Sequence, residues 1–218
     1  MKILITGGNG QLGQELQHLL DERGIAYDAA DVDVLDITDE AKVDTYFAKN
    51  RPEIVYHCAA YTAVDKAEGE GKKVNELVNA VGSEIMAKAC KKYDALMVYV
   101  STDYVFDGLR TEGEYMPDDP KGPRNEYGRT KLLGEQAIEK YCDKYYIVRT
   151  AWVYGKWGHN FVYTMLNLAK NHDRLTVVSD QIGRPTWTRT LAEFLTYLVD
   201  NNIEYGIYQC SNDGQCSW

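Results

Sequence analysis

Tyr127 and Lys131 stand four residues apart in Glu126-Tyr127-Gly128-Arg129-Thr130-Lys131, so a helix here projects both side chains from one face, about one turn apart. An ammonium beside a phenol favours the phenolate over its ordinary pKa of about 10, which makes the hydroxyl a usable proton donor near neutral pH. Tyrosine and lysine at this spacing also decorate many solvated helix faces, so position has to decide. Upstream, Val100-Ser101-Thr102-Asp103 closes an apolar, β-rich run. A hydroxyl at the carboxyl end of a parallel strand lies in the crevice where open α/β sheets bind ligands. Thr102, Tyr127 and Lys131 are therefore the expected catalytic group.

A second constellation opens the chain. Ile3-Leu4-Ile5-Thr6-Gly7-Gly8-Asn9-Gly10-Gln11-Leu12-Gly13 reads as a strand, a glycine turn and the start of a helix, with glycines spaced G-x-x-G-x-x-G. Gly7 makes the tight turn, Gly10 lets backbone approach a pyrophosphate, and Gly13 lets the helix pack on the sheet, while the helix N-terminus favours the anion. Asp31, Asp33 and Asp36 follow the second strand, where an acid reaches the ribose hydroxyls of a bound dinucleotide. No Arg or Lys stands among them to receive a 2′-phosphate, which leans towards NADH over NADPH.

The elements that must hold these groups alternate. Strands are expected at Lys2 to Thr6, Ala26 to Asp31, Ile54 to Ala60, Leu96 to Thr102, Tyr145 to Val153, Leu175 to Val178 and Gly206 to Asn212. Helices are expected between them at Leu12 to Arg23, Asp39 to Lys49, Val74 to Tyr93, Glu126 to Tyr141, Phe161 to Lys170 and Thr190 to Asn201, with Asp39 as a cap and Gly24 as a stop. Leu109 to Arg124, rich in proline, glycine and acids, reads as a surface loop. This is the pattern of an α/β fold, a Rossmann-type doubly wound parallel sheet with a small C-terminal lobe. Residues 1–150 are the expected dinucleotide-binding domain. Residues 151–218 are expected to form part of a substrate-binding lobe interleaved with it, incomplete because the chain stops at Trp218 where another element should begin.

The 218 residues carry 24 Lys and Arg against 33 Asp and Glu, a formal charge of -9 without basic runs, so there is no electrostatic footprint for nucleic acid or an anionic membrane. A small-molecule partner is expected instead. Five scattered cysteines, Cys58, Cys90, Cys142, Cys210 and Cys216, lack metal-ligand spacing and fit reduced thiols in a cytoplasmic protein, and no metal site is expected. Neither a signal peptide nor a membrane span is visible in the sequence.

With the glycine loop, the strand-end threonine and Tyr-x-x-x-Lys in this order, the whole chain resembles the extended short-chain dehydrogenase/reductase family. Four further stretches, Ala59 to Glu68, Ser101 to Gly108, Arg149 to Gly155 and Asp180 to Thr186, are similar to those of its dTDP-4-dehydrorhamnose reductase family. That resemblance implies reduction of the C4 ketone of a dTDP-linked 4-keto-6-deoxy sugar, dTDP-4-dehydro-L-rhamnose, with hydride from NADH or NADPH. It implies that Tyr127 protonates the developing alkoxide, that Thr102 bonds the same oxygen, and that Lys131 holds the nicotinamide ribose and lowers the Tyr127 pKa. Asp103 and Trp152 would join Thr102 and Tyr127 on the sugar. Gly7, Gly10, Gln11, Leu12, Gly13, Asp31, Asp36, Ile37, Ala59, Ala60, Tyr61, Tyr127 and Lys131 would contact the cofactor. Asn79 fits an asparagine that relatives use to organise the site. A homodimer is compatible with the resemblance.

Other readings stay open at this point. They are another nucleotide-sugar 4-reductase, an epimerase, a dehydratase, and a non-catalytic reductase-like regulatory subunit. A dehydratase of this kind places a second acid after Thr-Asp, where this chain has Tyr104.

Overall fold

The structure, a computed structural model, describes residues 1–218. Continuous apolar runs make the inner strands: β1 (Ile3–Thr6) and β3 (Ile54–His57) are buried along their whole length, as strands covered on both faces must be. They join β2 (Asp28–Ala30), β4 (Leu96–Thr102), β5 (Tyr145–Thr150) and β9 (Gly206–Gln209) in one sheet of order β2-β1-β3-β4-β5-β9, and every pairing in it is parallel. The chain leaves β1 for β2 on one side and returns past it to β3 on the other. The carboxyl ends of β1 and β3 therefore flank a switch point, the place where such sheets bind ligands.

Alternation along the strands divides the core in two. One layer packs Leu4, Val55, Met97, Tyr99 and Ile147 against α2 (Glu40–Asn50) and α5 (Ser83–Tyr93), and reaches Ile138 of α6 (Glu126–Tyr141). The other packs Ile5, Tyr56, Val98 and Val148 against Leu16 and Leu19 of α1 (Gln11–Glu22) and Leu191 and Leu195 of α8 (Thr188–Asp200). Short helices α3 (Val64–Ala67) and α4 (Lys72–Glu76) precede a π-helical stretch, Leu77–Gly82, that runs on into α5. Asp39 caps α2 by accepting the Lys42 N–H at 3.1 Å, and Gly24 closes α1 at φ +65°, both as its residue type dictates.

The remaining elements are small. Strands β6 (Val153–Tyr154) and β8 (Thr186–Trp187) pair in parallel, β7 (Ile182–Gly183) pairs antiparallel with β10 (Cys216–Ser217), and α7 (Phe161–Ala169) lies between β6 and β7 in sequence. The strand expected at Leu175 to Val178 does not form. Its side chains suit a strand, but no neighbouring edge pairs with it, and Val178 is 52% exposed. The strand expected to run to Asn212 ends at Gln209. No helix is long and apolar enough to cross a membrane.

Candidate active site

The glycine turn is built by close approach. Gly7 has φ +67°, and a Cβ on it would come within 2.7 Å of the Ala59 backbone nitrogen, so only glycine lets β1 turn against the loop after β3. Gly13 meets the Gly7 carbonyl of the same turn rather than the sheet expected from its spacing. Beside this turn lies a cavity of about 220 Å³, lined by Gly7, Gly10, Asp31, Asp36, Ile37, Ala59 and Ala60. It is also lined by Val32, Leu35, Thr38, Cys58 and Val78, which sequence reasoning missed although most of them follow the carboxyl ends of β2 and β3. The Asp31 carboxylate accepts from the Asn9 N–H at 3.0 Å and the Val32 N–H at 2.8 Å, tying the β2 loop to the glycine loop. Asp36 accepts both the N–H and the hydroxyl of Thr38, which hold its carboxyl below the usual range. A larger groove of about 820 Å³ between α2 and α5 is lined by paired charges such as Lys92 and Asp44, and lies away from every residue named so far as catalytic.

Asn79 ties the cleft together. Its side-chain oxygen accepts the Tyr61 N–H at 2.8 Å, and its NH₂ donates to the Tyr61 carbonyl at 3.0 Å and to Asn75 Oδ1 at 2.8 Å. The Thr130 hydroxyl donates to the same Asn75 oxygen at 3.1 Å. The loop Ala59-Ala60-Tyr61 is thereby fixed to α6 between Tyr127 and Lys131. Asn79 lies in the π-helical stretch, a helical irregularity that frequently occurs at functional sites. The Tyr61 side chain itself lies against Gly71, away from the cavity lining.

Two of the three expected catalytic residues, Thr102 and Tyr127, come together. Thr102 ends β4 and is 6% exposed; its hydroxyl donates to Asp103 Oδ1 at 3.1 Å and accepts the Tyr104 N–H at 3.2 Å. Asn125 caps α6 by accepting the Gly128 N–H at 2.7 Å, which places Tyr127 in the first turn. The Gly128 Cα lies so close to the Tyr104 carbonyl that a Cβ would collide with it, so α6 starts hard against the Thr102 turn. Burial pushes the Tyr127 phenol well above its ordinary value; the charge of Asp103 adds to this, and a hydrogen bond with Thr102 opposes it. This departs from the expectation that Lys131 lowers the phenol. Burial dominates, Lys131 is not among the groups that shift the phenol, and Tyr127 holds its proton at neutral pH. Asp103, raised to about 6 chiefly by burial, is eased by its hydrogen bonds to Thr102 and to backbone.

Lys131 is 2% exposed, and burial brings it down to about 7. Its Nζ rests 4.0 Å from the centre of the Tyr99 ring. Glu135, one turn further along α6, opposes that shift only in part, and its carboxylate is held by other groups. Arg149 grips that carboxylate at 2.9 and 2.7 Å, Ser101 donates to it at 2.5 Å, and Arg149 also donates to the Pro117 carbonyl at 2.9 Å. Arg149 and Glu135 are each 1% exposed. Neither was foreseen as part of the site; lone charges inside apolar elements were the available signal. Trp152 lies beyond β5, at φ +45°, stacked on Trp218 with centroids 3.7 Å apart.

A parallel sheet with a glycine turn at its switch point, a buried Thr at the next strand end, and a half-buried Tyr and a buried Lys on the helix beside it, defines the class of nucleotide-dependent short-chain oxidoreductases. The RmlD substrate binding domain family matches residues 1–218. A dTDP-4-dehydrorhamnose reductase of Streptomyces griseus is 46% identical over 99% of this chain and 72% of its own length, and that of Escherichia coli K12 is 39% identical over 100% and 75%. The crystal structure of a Bacillus anthracis dTDP-4-dehydrorhamnose reductase in complex with NADP superposes with a TM-score of 0.94 at 43% identity, covering 100% of this chain and 76% of that one. The chain belongs to the dTDP-4-dehydrorhamnose reductase family. A Thermus thermophilus UDP-glucose 4-epimerase in complex with NAD, at 22% identity and a TM-score of 0.85, shares the fold.

Proposed function

We infer that this protein reduces the C4 ketone of dTDP-4-dehydro-L-rhamnose to give dTDP-L-rhamnose. The observation that supports this reading is the meeting of Thr102, at the carboxyl end of β4, with Tyr127 of α6, on the same sheet edge as the crevice formed by Gly7, Gly10 and Ala59. That crevice suits a dinucleotide, because a Cβ on Gly7 would fill the turn that brings backbone to a pyrophosphate. NADH or NADPH would supply the hydride.

The chain's own residues position and protonate. Tyr127, still carrying its proton, donates it to the sugar oxygen as negative charge develops there. Thr102 holds the same oxygen, and the donors stand in a water-poor pocket where such contacts are strong. Lys131, with no carboxylate partner, supplies positive charge for the nicotinamide ribose and for the phenolate left on Tyr127. Asp103 and Trp152 take the sugar. Gly7, Gly10, Gln11, Leu12, Gly13, Asp31, Asp36, Ile37, Ala59, Ala60 and Tyr61 surround the cofactor, joined by Tyr127 and Lys131. Residues 1–150 serve the dinucleotide, and 151–218 form part of the sugar-binding lobe. Five unpaired cysteines and a net charge of -9 support a cytoplasmic protein that binds no nucleic acid and needs no metal, acting alone or as a homodimer.

The test is oxidation of NADH and NADPH with dTDP-4-keto-6-deoxyglucose and a 3,5-epimerase. Formation of dTDP-L-rhamnose is the expected result. Folded, dinucleotide-binding protein that forms no product would remove the substrate assignment.

A further inference from the structure

Tyr99 stands in the middle of β4, fully buried against α6. A Cβ on Gly134 would come within 2.3 Å of its hydroxyl oxygen, so the glycine opens a notch in the helix that receives the phenol. From that notch the hydroxyl donates to the Lys131 carbonyl at 3.4 Å. On the sheet, Tyr99 pairs in register with His57 of β3, and the two rings stack with centroids 5.7 Å apart. The ring is thus held at its tip by α6 and against a neighbouring ring by β3. The Lys131 ammonium rests on it, with Nζ 4.0 Å from the ring centre.

Other support for that ammonium is thin. Lys131 is 2% exposed, and the salt bridge of its neighbour Glu135 goes to Arg149 of β5. Glu135 also accepts from Ser101 of β4, and it opposes the loss of the lysine's proton only in part. Cys58, after β3, acts on Lys131 as well, and His57 feels the ammonium in return. Burial pushes Cys58 up to about 12 and His57 down to about 3, so both are neutral around pH 7. An aromatic face carries the negative part of a quadrupole and draws a cation most strongly where water is excluded.

Resting on the reading of Lys131 as the residue that holds the nicotinamide ribose, we propose that Tyr99 is its positioning residue, seating the ammonium on the ring face by a cation–π contact and keeping it charged. A carboxylate in the same place would neutralise the charge that the ribose and the Tyr127 phenolate use. A ring supports that charge and leaves it available.

The experiment compares Tyr99→Phe with Tyr99→trifluorophenylalanine, which keeps the ring and withdraws the charge from its face. Both lack the hydroxyl, so the pair differs in the ring face. Urea denaturation of each at pH 5, 7 and 9 is the first measurement. Without the ring's support Lys131 gives up its proton at lower pH, by about one unit. Fluorination therefore lowers the folding equilibrium constant about ten-fold more at pH 5, where the folded ammonium is charged, than at pH 9, where it is neutral. A difference equal at every pH, or none, overturns the proposal, because the ring then only fills space. Fluorescence titration with NADH is the second measurement. It should show binding about ten-fold weaker in the fluorinated variant at pH 8 and unchanged at pH 5, with Tyr99→Phe close to wild type. The expected stability difference without this loss of NADH sustains the seat under Lys131 and overturns instead the reading of Lys131 as the ribose residue.

Discussion

Asn79 clamps the backbone of Tyr61 at both of its polar atoms, accepting from the N–H at 2.8 Å and donating to the carbonyl at 3.0 Å. One buried side chain thus sets the path of the loop after β3, which borders the cleft through Ala59 and Ala60. Asn79→Leu would leave those Tyr61 groups and Asn75 unpaired. A loss of about 2–4 kcal/mol is expected from the broken buried bonds, together with weaker dinucleotide binding. Chemical denaturation and a dinucleotide titration measure the two effects.

Removing the phenol hydroxyl tests the proton donor. Tyr127→Phe should lower turnover by about 10²- to 10⁴-fold while dinucleotide affinity and thermal midpoint stay near wild type. Retained turnover would move the donor role to another group.

Lys131 makes stability depend on pH in a defined direction. Burial holds it at about 7 in the folded chain, against about 10.4 when unfolded. Between these values the unfolded chain binds the proton more, so the group's contribution to stability rises with pH from 7 to 10, by at most about 1.4 kcal/mol per unit. Lys131→Met should flatten that slope in urea denaturation series run at pH 7, 8 and 9.

The Arg149–Glu135 pair predicts an asymmetric cost. Arg149→Met strands a buried carboxylate and should destabilise the fold by about 3–5 kcal/mol, whereas adding Glu135→Gln should recover part of the loss. Denaturation of the single and double variants gives the coupling.

Asp31 gives a cofactor test. With Val32 rather than a cation beside it in the cleft, its carboxylate disfavours a 2′-phosphate. Asp31→Ala should raise the NADPH-to-NADH affinity ratio by about 10-fold, as read by paired titrations. An unchanged ratio would take Asp31 out of cofactor selection.

The sequence alone determined whatever rests on neighbouring residues. The buried apolar runs of β1, β3 and β4, the Asp39 cap, the Gly24 stop, the glycine turn and the four-residue spacing of Tyr127 and Lys131 all follow from local chemistry. Only the tertiary structure decided what depends on distant partners. Leu175 to Val178 has strand-like residues but no edge to pair with, so it stays irregular. Whether Lys131 would lower Tyr127 depended on how deeply the phenol is set among its neighbours, and burial raises it instead. The clamp from Asn79 to Tyr61 and the Tyr99 ring under Lys131 likewise exist only once the elements pack together. Spacing along a chain specifies which face a side chain takes; desolvation and hydrogen-bond competition are set by what packs against that face.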